Sequence, residues 1–591
     1  MVKRFLVTTA DERSRPTDQP ILFLGNWCRL YGRRHVWEKL DAEVVPYHWD
    51  DREKYFRDFS RLQASYEKLL AATVEALNRF HGGSHSVHYW RILIGPWLYT
   101  FMHVLFDRWS MVKLAASSYD ISGTSILDFD PAGLIPLDFK HVNPDSVEWN
   151  HYLFGKALKQ QQAIPWQSVT PESTQNALSM KPATSAPVRR RGTALKALFD
   201  SAIAKLTRCD EAMIITSYLP RFEEMKLQLA LGQIPKVWRA QEPAPCRPDF
   251  SSRQNLKIES AGIDEFEDFV CAMIPEQIPV VYLEGYAQLG RQADALPWPA
   301  RPKVIFTSNL YQFNEVFQIW AAKKIEAGAP LVIGQHGGIM GVGKWVPGED
   351  HQVDIADRYL TWGWRDGRPQ TLPALAFTIV NRATGKWNPQ GKILLVSSPM
   401  RVYSYRSSSW PVGPNQSAQF IAEQLGFARA LDAAVRARLL LRINTRQDRK
   451  TSCFYTEQWR DEFPGVEIDD STQPIEKCLS QCRLFVYSFN STGFLETLGR
   501  NIPTVIFWNP RYFELRSDAQ PFFDRLKAVG IFHDNPESAA RHISGIWADV
   551  AGWWNQAVVQ EARRHFCARF AHTSKKPVRE LSKSLAAICR S

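Results

Sequence analysis

The chain has 591 residues, 45% of them hydrophobic, which excludes a disordered protein and allows about two to four domains with large cores. Its formal net charge of +11 favours anionic partners. Apart from 188–191 the basic residues are dispersed and no nucleic-acid motif is present, so nucleic acid is not an expected partner. Nine scattered cysteines without a CxxC pair suit reduced thiols. Together with a start that lacks a long apolar signal core, they point to a cytoplasmic protein.

In chain order, 21–28 reads as a first strand running into a loop that carries Asn26 and Trp27. Over 50–80, Tyr55, Phe59, Leu62, Tyr66, Leu69, Leu70, Val74 and Leu77 recur at helical spacing, with Asp50 as a natural cap. His48 and Trp49 just before it are candidates for lining an acceptor pocket. Helices continue through 88–118. Segment 89–106 approaches the length of a membrane span but contains Arg91, Gly95-Pro96 and His103. A buried helix pair is the first reading, and peripheral docking at a bilayer interface is the alternative. The Ser/Thr/Pro/Gln-rich stretch 166–191 reads as a mobile loop, inside a helical insertion covering about 50–200.

From about 210, short β-branched runs alternate with helical patterns: 212–217, 278–285, 302–309, 330–338 and 358–364. After a polar connection near 380–391 the rhythm restarts with strands at 391–399, 439–444, 483–489 and 502–509, and a helix at 417–439. The expected fold is therefore α/β and GT-B-like, two Rossmann-like domains facing a cleft. Residues 1–380 form an acceptor-side domain, 381–540 a nucleotide-sugar-binding domain, and 541–591 helices that pack back on both.

Ligands of such sheets bind at the carboxyl ends of strands, and the chemistry-bearing residues fall there. The strand at 330–334 ends in Gln335-His336-Gly337-Gly338, with Gly341 and Gly343 close behind and Glu349 and His351 beyond. Glycines allow backbone N–H groups to approach a ligand, and an imidazole can move a proton at neutral pH. His336 and Glu349 are catalytic candidates; Gln335, Gly337, Gly338 and His351 are substrate-binding candidates. Asn490, Ser491 and Thr492 follow a second strand where a helix begins, with Glu496 one turn inside it. Hydroxyls and N–H groups at a helix start suit a phosphate, and Glu496 suits ribose or base. Arg401 and Arg442 follow strands of the same domain and suit a diphosphate. In the first domain Glu284 at a strand end is a candidate base or nucleophile, and Asn309 a substrate contact. Glu315 reads as a helix-dipole partner. No acidic pair stands after a strand in the cleft, so neither a metal nor a cofactor beyond the nucleotide-sugar co-substrate is expected.

The stretches LFLGNWC, VPYHWDD, YWRILIGPWL, FDRWSM, GQHGG, DRYLTWGW and NSTGFLETLGRNIPTVIFWNP, in this order, resemble a family of transferases encoded with O-antigen and other surface-carbohydrate genes. The chain is also distantly similar to capsule-type transferases that use CMP-activated ulosonic acids such as Kdo, and its Gln-His-Gly turn is similar to that of teichoic-acid glycerophosphotransferases. The resemblance implies a metal-independent glycosyltransferase of lipopolysaccharide or other surface-polysaccharide synthesis. The implied partners are a nucleotide-sugar donor and a glycan or lipid-linked glycan acceptor at the cytoplasmic membrane face. It assigns His336 an acid/base or phosphate-contacting role, and nucleotide binding to Asn490, Ser491, Thr492 and Glu496. Glycerophosphate transfer, nucleotide-sugar epimerisation and a non-catalytic nucleotide-sugar-binding scaffold remain as alternatives.

Overall fold

The structure, a computed structural model, describes residues 2–170, 207–259, 264–382, 387–398, 400–405, 407–443, 449–471 and 474–589. Three parallel sheets organise them. The first contains β1 (Arg4–Val7), β2 (Ile21–Phe23), β3 (Ala42–Val44), β4 (Ile121–Leu127) and β5 (Trp166–Val169), in the order β3-β2-β1-β4-β5. The second contains β6 (Met213–Ile214), β7 (Ile305–Thr307), β8 (Leu331–Gly334), β9 (Arg358–Thr361) and β10 (Thr371–Pro373), ordered β10-β9-β8-β7-β6. The third contains β11 (Lys392–Ser397), β12 (Leu439–Ile443), β13 (Glu467–Asp469), β14 (Cys482–Tyr487), β15 (Thr504–Phe507) and β16 (Phe532–His533). Its order, β13-β12-β11-β14-β15-β16, is that of a Rossmann sheet, with the chain reversing direction of travel between β11 and β14. Val396 pairs with Tyr487, so these two strands end level at the reversal.

The central strands are apolar throughout because both faces of a parallel sheet are covered; Ile393, Leu394, Leu395, Leu484, Phe485 and Val486 are all fully buried. The expected α/β fold of parallel sheets is thus present, with three sheets in place of two: the first and third carry the Rossmann order with its reversal, whereas the second runs in sequence order from β6 to β10 without one. That first sheet begins at β1, inside a stretch that the sequence marks only as lacking a signal core. A four-residue strand is too short to declare itself by alternation.

Helix Arg52–His81 starts at Asp51, whose carboxylate accepts from the N–H of Glu53 at 2.9 Å and of Lys54 at 3.1 Å, and ends at Gly82 with φ 64°. The cap is therefore Asp51; Asp50 instead accepts from Asn415 Nδ2 at 2.5 Å. Helix Val87–Ser118 runs unbroken through Pro96, as one helix where a pair is expected. Trp90, Leu93, Trp97, Leu98 and Met102 are at most 1% exposed, so the apolar side chains that would carry bilayer docking from 89–106 lie in the core. No helix among the described residues is long and apolar enough to cross a membrane.

Two further expectations change. Residues 278–285 form no strand; Val280–Tyr282 is a 3-10 turn whose Val280 and Val281 N–H groups donate to the carbonyls of Pro136 and Leu137. A short, wholly buried apolar run reads alike as strand or helix junction. Of the polar stretch, 166–169 is the edge strand β5, and residues 171–206 lie outside the described residues.

The first sheet is locked to the third by side chains of the motif stretches. Arg52 forks onto Glu514 with both contacts at 2.9 Å. Arg108, fully buried, donates to Asn150 Oδ1 at 2.9 and 2.6 Å, to Ser404 O at 3.2 Å, and to Asp107. Asp107 also accepts from Tyr47 at 2.6 Å and contacts His48 at 3.1 Å. Burial pushes the Asp107 carboxyl up, but Arg108 and the His48 and Tyr47 hydrogen bonds outweigh it and hold the group below its ordinary value. His48 and Trp49 are thus parts of a buried joint rather than pocket walls.

Candidate functional site

The turn after β8 is built around Gln335, which is fully buried. Its carboxamide donates to the carbonyls of Gly337 at 2.7 Å and Met340 at 3.3 Å. It accepts from Trp362 N–H and Trp364 Nε1, each at 2.8 Å. The amide that the sequence offers to a substrate is committed to folding the loop. Glu349, also fully buried, does the same one layer down: it accepts from Gly341 N–H at 2.6 Å and from Arg368 and Arg516 at 2.5 Å each. Arg516 belongs to the third sheet's region, so the carboxylate expected to be catalytic is a clasp between the regions of the second and third sheets. Backbone pairs complete it, Lys344 N to Glu514 O and Arg516 N to Val342 O, both 2.9 Å.

Two glycines are demanded by this geometry. Gly341 has φ 73° and lies where a Cβ would stand 2.3 Å from the Trp364 indole. A Cβ on Gly338 would stand 2.5 Å from Ser491 O, because the turn abuts the start of helix Thr492–Gly499. Gly338 N–H donates to Thr492 Oγ1 at 3.1 Å, and Gly337 faces the same hydroxyl. The histidine turn and the hydroxyl-rich helix start, 154 residues apart in sequence, are in direct contact.

That helix start lies at the chain reversal of the third sheet, where Ser488 Oγ donates to Val396 O at 3.3 Å. Ser491 occupies the cap position with extended backbone, yet its hydroxyl makes no capping bond. Ser491 Oγ and both amide atoms of Asn490 are buried with no hydrogen-bond partner among the described residues, and Asn490 is 1% exposed. Buried polar groups in native proteins are normally paired. An unpaired cluster at the positive end of a helix has the chemistry to receive an anion.

His336 is half-buried between two tyrosines that the sequence did not single out. Tyr218 and Tyr311 each have ring centroids 6.4 Å from the imidazole, and Tyr311 Oη is 3.4 Å from Nδ1. Asn309 Nδ2 donates to Tyr218 Oη at 2.5 Å, so Asn309 positions a neighbour of His336. The sequence signal for Tyr218 is faint, a tyrosine just past β6, and its φ of 62° is rare for a side chain of that size. His351 lies on the far side of Tyr311, ring centroids 6.2 Å apart, against helix Val87–Ser118. A Cβ on Gly95 would stand 2.9 Å from its Cε1. Burial depresses its pKa to about 3, so the ring is neutral at physiological pH.

The remaining candidates separate. Glu496 stays on the contact helix, half-buried, where burial pushes its carboxyl up against the opposing pull of Thr378, Arg382 and Arg500. Arg401 pairs with Asp145 and stacks 4.8 Å from the Tyr405 ring. Arg442 points along β12 to Asp469 and Cys478. Glu284 is gripped by Arg253 at 2.6 and 2.9 Å and accepts from Asp249 N–H at 2.8 Å; with no strand there, it is a structural ion pair in place of a cleft carboxylate. Glu315, fully buried, accepts from Phe139 N–H at 2.9 Å and Tyr282 Oη at 3.0 Å, and burial raises its pKa to about 7. Among the described residues no cluster of three His, Cys, Asp or Glu side chains could hold a metal.

Among solved structures, the chain is similar to a variant of the wall teichoic acid polymerase TagF soaked with CDPG, at 10% identity over 49% of this chain and 73% of that one, TM-score 0.30. It is similar to the spinosyn rhamnosyltransferase SpnG complexed with spinosyn aglycone, at 14% identity over 64% and 96% of the two chains, TM-score 0.30. It is similar to MurG of Acinetobacter baumannii, at 12% identity over 67% and 97%, TM-score 0.26. At these scores the likenesses are too remote to carry an argument. No curated protein matches the sequence. The family described as LIC12162 family transferase matches residues 4–585, nearly the whole length, and the chain belongs to that family of transferases.

Proposed function

We propose that this transferase is a glycosyltransferase that moves a sugar from a nucleotide donor onto a surface-polysaccharide or O-antigen acceptor, glycan or lipid-linked, at the cytoplasmic face of a membrane. The observation that carries the reading is the contact between the His336 turn and the helix start at Asn490–Thr492, where three buried polar atoms have no partner. A diphosphate or monophosphate leaving group seated there receives the leading N–H groups of helix Thr492–Gly499 together with the Asn490 amide and Ser491 hydroxyl. As the glycosidic C–O bond to phosphate breaks, negative charge grows on the phosphate oxygens, and fixed dipoles oriented before the reaction stabilise it. His336, next to this point and held by Tyr311, accepts the proton of the attacking acceptor hydroxyl. Glu496, one turn inside the helix, is suited to the donor's ribose or base. On this reading the dipoles take the part that a cation plays elsewhere, so transfer needs neither metal nor cofactor. The distant similarity to capsule-type transferases favours a CMP-activated ulosonic acid as donor.

A thermal-shift comparison of CMP-, UDP-, GDP- and dTDP-linked ligands tests the donor, because a ligand that binds only the folded state raises its apparent stability by mass action. One nucleotide class should stand out, and Asn490→Ala should abolish its shift. Equal, negligible shifts with all four would sink the reading.

A further inference from the structure

Large exposed hydrophobic side chains are concentrated in one short stretch. Phe222 (74% exposed), Leu229 (60%), Ile234 (57%), Met225 (43%) and Val237 (43%) make up five of the eleven found among the described residues. On helix Arg221–Ala230 the residues Phe222, Met225 and Leu229 are three and four apart and share one face. The opposite face buries Glu223, Leu227 and Gln228 and packs on helix Pro577–Ile588. Past Gly232, which turns the chain at φ 77°, Ile234 and Val237 are exposed as well.

The polar residues of this stretch are the ones turned inward. The Gln233 amide bonds both the N–H and the carbonyl of Ala212, at 2.9 and 3.0 Å. Lys236, 5% exposed, pairs with buried Glu211. Glu223 is buried against Lys226, and Glu224 accepts from Ser217. Arg221, Lys226 and Arg239 are exposed beside the apolar side chains. A face with apolar side chains and cations outward and carboxylates inward is not a solvated surface by default, since soluble proteins rarely keep contiguous apolar patches.

We propose that this face docks on an anionic lipid surface, with Phe222, Met225, Leu229, Ile234 and Val237 entering the headgroup–acyl boundary and Arg221, Lys226 and Arg239 meeting headgroup phosphates. Charge complementarity selects lipid as the occupant: the exposed charged residues within 221–239 are the cations Arg221, Lys226 and Arg239, set among exposed apolar side chains. The helix begins three residues after Tyr218, the tyrosine beside His336, so docking brings the candidate site to the membrane boundary. The inference deepens the membrane placement in the proposed function, and vesicle binding tests it separately from the transfer reaction.

The test is sedimentation of the full chain with vesicles of phosphatidylcholine alone and of phosphatidylcholine with phosphatidylglycerol. The chain should pellet with the anionic vesicles. The variant Phe222→Ser/Leu229→Ser should lower partition about tenfold or more on both compositions, and Arg221→Gln/Arg239→Gln should lower it on the anionic vesicles alone. Because all four side chains are exposed, both variants should melt with the unaltered chain. Absence of vesicle binding by the unaltered chain, or unaltered binding by the apolar variant, overturns the proposal. So does a dimer that the apolar variant converts to monomer without any vesicle binding, which would assign the face to a second copy of the chain.

Discussion

Asn490→Leu separates stability from binding at the candidate site. The two side chains have nearly the same volume, so the substitution removes hydrogen-bonding capacity and little else. Asn490 is 1% exposed, with neither Oδ1 nor Nδ2 paired among the described residues. A buried polar group left unsatisfied costs about 1–3 kcal/mol. The ligand-free variant should therefore be more stable than the unaltered chain, by about 1 kcal/mol once imperfect packing of the branched side chain is allowed for. That is about 2–4 °C in melting midpoint for a cooperative unit of 150–250 residues. Donor binding should move the other way. Loss of hydrogen bonds to a charged phosphate costs about 1.5–3 kcal/mol, or about tenfold to a hundredfold in Kd. Thermal denaturation without ligand, paired with calorimetric titration of the preferred nucleotide, reads both signs. A variant that melts lower without ligand, or binds the nucleotide as well as the unaltered chain, refutes the reasoning.

Glu349→Ala leaves Arg368, Arg516 and the Gly341 N–H without their shared acceptor. Breaking such a buried pair costs about 3 kcal/mol, so a lowered melting midpoint should accompany any loss of transfer. Activity lost at an unchanged midpoint would instead make Glu349 catalytic. Gly338→Ala drives a Cβ to 2.5 Å from Ser491 O, which backbone cannot yield cheaply. Weaker donor binding and a stability loss of about 1–3 kcal/mol are expected in denaturant titrations. His103 is depressed to about 3 by burial, so the unfolded chain binds its proton first as pH falls below about 6.5. Stability is therefore lost on acidification, by about 1 kcal/mol from this group between pH 7.5 and 5.5. His103→Asn can keep the hydrogen bond to Ser407 and drops the titration, so its stability deficit should narrow by that amount at the lower pH. A constant deficit would show that His103 does not titrate as its burial dictates.

Much of the architecture is legible locally. The 3.6-residue period of 52–81 and the β-branched runs of 392–397, 439–443 and 482–487 each appear at close to their expected positions. The short strands β1, β10, β13 and β16 are not legible, since two to four residues carry no period and owe their form to pairing with distant partners. Sequence reasoning singled out His336 and Asn490–Thr492, whose turns the structure brings into contact, because glycines after one strand and hydroxyls after another leave a pattern. It could not foresee that Gln335 and Glu349 are spent on holding the loop, nor that Tyr218 and Tyr311 flank the imidazole.

Periodicity and strand-end composition, which depend on neighbours within a few residues, determined that this chain is α/β and where its glycine-rich and hydroxyl-rich turns lie. Which polar groups are satisfied and which stand unpaired was decided by contacts across hundreds of residues: Arg516 on Glu349, Arg253 on Glu284, Gly338 on Ser491. A carboxylate or amide has the same chemistry wherever it is written. Only packing decides whether a neighbouring donor has already taken it, and so whether it is left for a ligand.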